Sequence, residues 1–259
     1  MPKYGDPKAD FNEEKDRLLS LLNREENRDI ILRLVGALAF NTKCKKFNYL
    51  QKDLGREFTD IDFASYRKQS SRVKQFLTDC GYKEDVEVNN LFGTSRLLFH
   101  DTINKRHVDV FLDELKFSHT INLRGRLEQD PITIPLAELF LEKMQIAKIN
   151  EKDLIDTIML LREYDFGETD NDEINKNIIL NYLTKDWGFW KTVVDNLNIL
   201  KNFLNKYPQL TDEDKSIVSK RIDYILEEIE KAPKSLKWKM RSKIGTKMKW
   251  YQEVDELGV

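Results

Sequence analysis

The chain has 259 residues, 40% hydrophobic and 34% charged, with a formal net charge of −2. It is long enough for one large domain or two modest ones with a packed core, and its charge balance excludes a molecule that attracts polyanions over its whole surface. Short, charge-interrupted apolar runs exclude a transmembrane span, and two cysteines outside any CxxC pair, Cys44 and Cys80, argue against a disulfide scaffold. Residues Met1 to Asp6 lack the apolar core of a secretory signal, so a reducing cytoplasm is the expected setting.

Asp10 to Asn23 reads as a helix, with Phe11, Leu18, Leu19, Leu21 and Leu22 on one face and acids in its first turns. Ile30 to Val35 reads as a buried strand ending at Gly36, and a helix from Ala37 to about Lys46 follows. A glycine at a strand-to-helix turn lets backbone approach a ligand closely and leaves helix N–H groups for phosphate; without a ligand it is a tight turn. Thr59 to Phe63 reads as the next strand and Tyr66 to Cys80 as a helix stopped by Gly81, with Val73, Phe76, Leu77 and Cys80 at helical spacing. Val86 to Leu91 fits helix or strand. Arg96 to His100 and His107 to Leu112 alternate as antiparallel strands joined by the polar 101–106 segment, and Phe117 to Leu123 is a further strand candidate. Pro135 opens a helix over 136–147, and Asn150 caps another over 151–163. The acidic run Glu168 to Glu173 is taken as a hinge, dividing a domain over 1–168 from a helical domain over 169–259. Helices are expected over 174–183, 187–207, 211–231 and 235–257, with Pro208 and Pro233 falling between them. The fold class is therefore α+β, a mixed sheet flanked by helices, followed by an all-helical C-terminal domain.

The candidate chemistry lies in three carboxylates. Asp60 and Asp62 alternate on one strand, so they share a face while Ile61 and Phe63 turn to a core. Asp109 is a third strand-borne acid flanked by apolar residues. Anions on one face repel unless a cation sits between them, and hard divalent cations take carboxylate oxygens; the alternative is a pair of solvated acids. His107 shares the predicted face of Asp109, which also permits a His/Asp zinc site.

The ordered set of Gly36, Asp60-Ile61-Asp62 and Asp109 resembles the DNA polymerase beta nucleotidyltransferase superfamily, with its glycine turn, D-x-D strand and later single Asp. More narrowly it resembles the AbiEii-type branch of toxin-like nucleotidyltransferases, through Leu34 to Ala39, Arg56 to Asp62, Pro135, Lys143 and Lys152-Asp153-Leu154-Ile155-Asp156. The resemblance spans roughly residues 28–165. It implies a nucleotidyltransferase-like sheet and transfer of NMP from an NTP to an acceptor hydroxyl, with Mg²⁺ or Mn²⁺ on Asp60, Asp62 and Asp109. Asp109 would also act as base, and Gly36, Ala37 and Arg56 would meet the triphosphate. Lys143 would neutralise phosphate and Asp153 would orient it or a substrate group. An antitoxin-like protein partner is a further implication. One departure is Ala37, where the superfamily often carries Ser or Gly: no hydroxyl is offered to phosphate, which leaves room for an impaired member acting as an RNA- or protein-binding module.

Residues 234–251 hold seven Lys/Arg and no acid, interleaved with Trp238, Trp250 and Tyr251. Leu236, Met240, Ile244, Met248 and Tyr251 recur at helical spacing. This basic helix either packs its apolar stripe on the helical domain, or meets RNA such as tRNA with aromatics stacking on bases, or lies on a membrane surface. No membrane partner is expected.

Overall fold

The computed structural model describes residues 2–253. It is an α+β fold whose chain divides into two compact units. One comprises Met1–Lys43, Glu57–Leu115 and Asn122–Pro135; the other Cys44–Arg56, Lys116–Ile121 and Leu136–Val259. The division thus passes between Pro135 and Leu136, and the acidic 168–173 segment lies inside the second unit.

The first unit is built on a five-stranded mixed sheet in the order β1-β2-β5-β4-β3, with strands β1 (Leu32–Val35), β2 (Ile61–Ser65), β3 (Lys83–Glu84), β4 (Arg96–Asp101) and β5 (Arg106–Leu112). Strands β2 and β5 run parallel, and every other pairing in this sheet is antiparallel. Alternation sorts the side chains. Leu32, Leu34, Ile61, Phe63, Leu97, Phe99, Val108 and Val110 all fall on one face and are fully buried. The other face mixes Arg33, Asp62, Arg96, His100, His107 and Asp109 with the apolar Val35, Ala64, Leu98 and Phe111. Four helices belong with it: α1 (Phe11–Leu22), α2 (Gly36–Lys43), α4 (Ser70–Asp79) and α5 (Val86–Phe92). Asp10 caps α1 by accepting from the N–H groups of Asn12 and Glu13. Asp85 caps α5, which settles the ambiguous 86–91 run as helix.

The second unit is mainly helical: α3 (Tyr49–Asp53), α6 (Leu136–Met144), α7 (Glu151–Glu163), α8 (Lys176–Leu183), α9 (Trp187–Phe203), α10 (Asp212–Lys231) and α11 (Leu236–Ile244). Asn150 caps α7, and Thr211 with Asp214 closes a capping box on α10. The acidic hinge is folded back on itself. Strands β8 (Phe166–Gly167) and β9 (Ile174–Asn175) pair in parallel, and the Glu173 carboxylate accepts from the N–H groups of Glu168 and Thr169.

Several boundaries differ from the sequence reading. The strand expected from Thr59 begins at Ile61, so Asp60 stands just ahead of β2; Phe58 instead packs on Phe11 with ring centroids 5.8 Å apart. The expected 117–123 strand is a ribbon of β6 (Glu114–Lys116) and β7 (Thr120–Asn122) around a turn. Tyr66 is extended, because its hydroxyl is held by the Glu128 carboxylate at 2.5 Å and by the Gly125 and Leu127 N–H groups. The helix expected over 235–257 ends at Ile244, where Gly245 takes φ 59°; residues 254–257 of that reading lie outside the described residues.

Candidate active site

Register places the acids. Asp62 on β2 and Asp109 on β5 are Cα partners across the parallel pair, so their side chains leave the same face of the sheet side by side. Asp60 sits two residues before Asp62. The turn after β1 then comes up against this pair: Gly36 has φ 67°, and a Cβ built on it would lie 2.6 Å from the Asp62 Oδ2. Glycine is required there twice over, for the left-handed backbone and for the carboxylate packed against its bare Cα. Ala37 follows as the second residue of α2 and is partly exposed.

Two adjacent carboxylates in a half-buried setting need a counter-cation. Arg96 supplies one. It stands on β4, and its Nε donates to Asp109 Oδ1 at 2.5 Å. Burial is the largest single influence on this guanidinium and works against its charge. The hydrogen bond to Asp109 and the charges of Asp109, Asp62 and Asp60 outweigh it and hold its pKa above the usual arginine value. All three acids therefore sit in the field of one arginine. Among the described residues, no group of three or more His, Cys, Asp or Glu side chains is arranged to hold a metal ion. The donors are of the right kind for Mg²⁺ or Mn²⁺, being hard carboxylate oxygens, with Asp62 and Asp109 on one sheet face, but one of the Asp109 oxygens is engaged by Arg96.

Lys143, Asp153 and Arg56 belong to the second unit, where they meet around a residue that the sequence reading gave no role. Asp156 is fully buried on α7, one turn after Asp153. Its Oδ1 accepts from Gln51 Nε2 at 2.8 Å, and its Oδ2 lies 3.4 Å from both Arg56 Nε and Lys143 Nζ. Lys143 Nζ also lies 3.3 Å from Glu142 Oε1 and 3.6 Å from Asp153 Oδ1. Burial, the largest influence, opposes the lysine charge; Glu142, Asp156 and Asp153 prevail over it and over Arg56, holding Lys143 above the ordinary lysine pKa. Lys143 and Asp153 are thus neighbours. Arg56, expected at a phosphate, has a side chain only 9% exposed and is turned onto Asp156. The i, i+3 spacing of Asp153 and Asp156 puts both acids on one helix face and was the available signal for Asp156.

His107 does not pair with Asp109. Its Nδ1 lies 3.1 Å from the Nδ1 of His100, whose Nε2 meets Asp85 Oδ2 at 2.9 Å. In the basic C-terminal stretch the apolar stripe does not pack on the helical domain. Trp238 and Arg241 turn inward, onto Trp190 and Trp187. The stripe of Leu236, Met240, Ile244 and Met248 is exposed, at 80%, 64%, 44% and 54%. Lys237, Lys239, Lys243 and Lys247 are exposed as well and make no ion pair among the described residues. No helix among the described residues is long and apolar enough to cross a membrane. In comparison with known proteins, no family model, no curated protein and no solved structure matches this chain.

Proposed function

We propose that the chain is a metal-dependent nucleotidyltransferase of the DNA polymerase beta type, moving NMP from an NTP to an acceptor hydroxyl with release of pyrophosphate. The observation that carries this reading is the pairing of Asp62 with Asp109 across β2 and β5, with Asp60 two residues upstream and Gly36 bare against Asp62. Asp60, Asp62 and Asp109 would hold Mg²⁺ or Mn²⁺, and such an ion supplies charge neutralisation at the phosphates and at the attacking and leaving oxygens. The chain's own groups do the rest. The turn at Gly36 and Ala37 would let the triphosphate approach the backbone closely. Arg96 fixes one oxygen of Asp109, and the other would serve as metal ligand or as base toward the acceptor hydroxyl. Lys143, ringed by Glu142, Asp153 and Asp156, meets phosphate only by exchanging one of these carboxylates for it.

The test is incubation with labelled NTPs, Mg²⁺ and candidate acceptors, tRNA among them, comparing the native chain with Asp60→Ala plus Asp62→Ala. Labelling that depends on both acids supports the reading, and equal labelling by both proteins refutes it.

A second reading rests on Arg96 and Ala37: a protein of this architecture that binds RNA or a protein partner without turnover. An arginine set among the three acids does part of what a metal would do. Calorimetric titration separates the two. Metal-dependent NTP binding favours the enzyme, and its absence favours the binding module.

A further inference from the structure

The second unit contains a cavity of about 420 Å³ with no part in the chemistry above. It is bounded by the Ser118–Thr120 turn, Tyr182 on α8, Asp186 and Phe189 at the start of α9, Arg241 on α11, and the extended segment 249–252. That segment is pinned along its length. A Cβ on Gly188 would come within 2.6 Å of the Trp250 carbonyl, so glycine is what lets the segment lie on α9. Trp250 Nε1 donates to Thr192 Oγ1 at 3.1 Å, and Gln252 N–H donates to Ser118 O at 3.0 Å. Arg241 ties its approach by donating to the carbonyls of Gly245 and Met248 at 2.7 and 2.8 Å.

Hydrogen bonds join His119 to Trp250 through Thr192. His119 lies flat on Phe189, with centroids 4.7 Å apart and planes 5° from parallel, and its Nε2 is 2.9 Å from Thr192 Oγ1. The indole N–H of Trp250 can only donate, so Thr192 Oγ1 accepts it, and the hydroxyl keeps a second lone pair and its own proton for His119 Nε2. Burial pushes the His119 pKa down to about 4, against a raising influence of Asp186, so the ring is neutral at pH 7. Its Nδ1 has no hydrogen-bond partner among the described residues, on a residue 8% exposed that lines the cavity. The same cavity holds an acceptor in Asp186, aromatic walls in Tyr182, Phe189, Trp250 and Tyr251, and cations in Arg241 and Lys249, the latter 2.8 Å from Glu253 Oε1. Lys243 and Lys247 are exposed, make no ion pair among the described residues, and lie on the chain leading to Lys249.

We infer that this cavity binds an unpaired nucleobase with its phosphate: the aromatic walls take the ring, His119 Nδ1 and Asp186 read its polar edge, and the Arg241 and Lys249 charges hold the phosphate. Flat walls, polar groups at the edge and neighbouring cations match a nucleotide, and aromatic stacking with basic tracking is how single strands are held. The ligand is a free nucleotide or the single-stranded end of an RNA. In the second case the cavity deepens the proposed function by naming the acceptor class, and in that respect alone it rests on that reading.

The experiment is titration of the whole chain, followed by tryptophan fluorescence, with each of the four nucleoside monophosphates and with a short single-stranded oligoribonucleotide. A chelator is present throughout and no NTP is added, so the result does not depend on the carboxylate site. Tyr251→Ala should weaken binding roughly tenfold, the loss of one stacking partner. His119→Phe keeps the stack and should flatten the differences among the four bases. Lys243→Glu with Lys247→Glu should weaken the oligoribonucleotide and spare the monophosphates if the ligand is RNA, and change neither if it is a free nucleotide. Thermal melts of each variant report whether the fold is retained. Absence of quenching by every probe at millimolar concentration overturns the inference. So does binding that neither Tyr251→Ala nor His119→Phe alters. A transferase assay that fails to depend on Asp60 and Asp62 leaves this binding result standing, so the two failures are distinguishable.

Discussion

Asp156→Asn removes one charge from a fully buried side chain while keeping its shape, and so measures what the second unit's ion cluster does. Asp156 faces Gln51 at 2.8 Å and Arg56 and Lys143 each at 3.4 Å. An asparagine placed with its carbonyl toward Gln51 keeps that bond and turns an N–H₂ toward two cations. Breaking a buried ion pair costs about 3–5 kcal/mol. Glu142 and Asp153 remain 3.3 and 3.6 Å from Lys143 and soften the loss on that side. The expected destabilisation is therefore about 2–4 kcal/mol, a melting shift on the order of 10 °C. All four tryptophans, Trp187, Trp190, Trp238 and Trp250, lie in the second unit, so urea unfolding followed by tryptophan fluorescence reports on the right part of the chain. Lys143→Met in the same background should cost less than the sum of the single changes, with a coupling of about 1–3 kcal/mol. The pH dependence has a definite sign. The folded pKa of Lys143 is raised, so its contribution is fully present below the ordinary lysine value and is lost only as pH climbs through the folded one. The Asp156→Asn deficit should thus be flat between pH 6 and 9. A variant within about 0.5 kcal/mol of the native chain, or a deficit that vanishes inside that window, would refute the argument.

Gly36→Ala should cost about 2 kcal/mol in urea unfolding, since φ 67° is strained for alanine and the new Cβ meets Asp62 Oδ2 at 2.6 Å. It should also weaken Mn²⁺ binding measured by calorimetry. His119 is held down at about 4 by burial, so the fold favours its neutral form. Its contribution is present above the unfolded value near 6.5 and is lost as pH falls toward 4, by up to about 3 kcal/mol. Subtracting the stability profile of His119→Phe from that of the native chain should expose this slope, and parallel profiles would contradict it. Arg96→Gln removes the cation among Asp60, Asp62 and Asp109, so Mn²⁺ affinity should rise several-fold if the acids bind metal. An unchanged affinity would mean that arginine and metal do not share those oxygens.

Local chemistry was legible. The cap at Asn150 follows from a side-chain oxygen next to unsatisfied N–H groups, and the 96–112 hairpin follows from two apolar runs joined by a polar segment. Long-range competition was not. The stripe Leu236, Met240 and Ile244 has the spacing of a packed face, yet α11 turns Trp238 and Arg241 inward. An aromatic edge contact on Trp190 and an arginine over Trp187 hold α11 instead of the aliphatic stripe. The 49–53 helix carries no apolar period of its own; it is anchored at Gln51, whose partner Asp156 stands 105 residues away.

The carboxylate site shows the same limit in a form that bears on function. Alternation alone brings Asp60 and Asp62 to one face, and Asp109 to one face of its own strand. Only register decides that Asp62 and Asp109 stand side by side, and that Arg96, thirteen residues before Asp109, reaches it diagonally from β4. A guanidinium keeps its charge across the physiological pH range. Arg96 therefore offsets one of the three negative charges, and on the proposed reading a divalent ion either displaces Arg96 from Asp109 or binds through oxygens that Arg96 does not hold. In the first case Arg96 sets a threshold for metal occupancy. In the second it fixes one ligand in place and lets Asp60, Asp62 and the remaining Asp109 oxygen form the binding edge. The two cases differ in the sign of the Arg96→Gln effect on turnover: loss of the threshold raises it at low metal concentration, and loss of the positioning lowers it at every concentration.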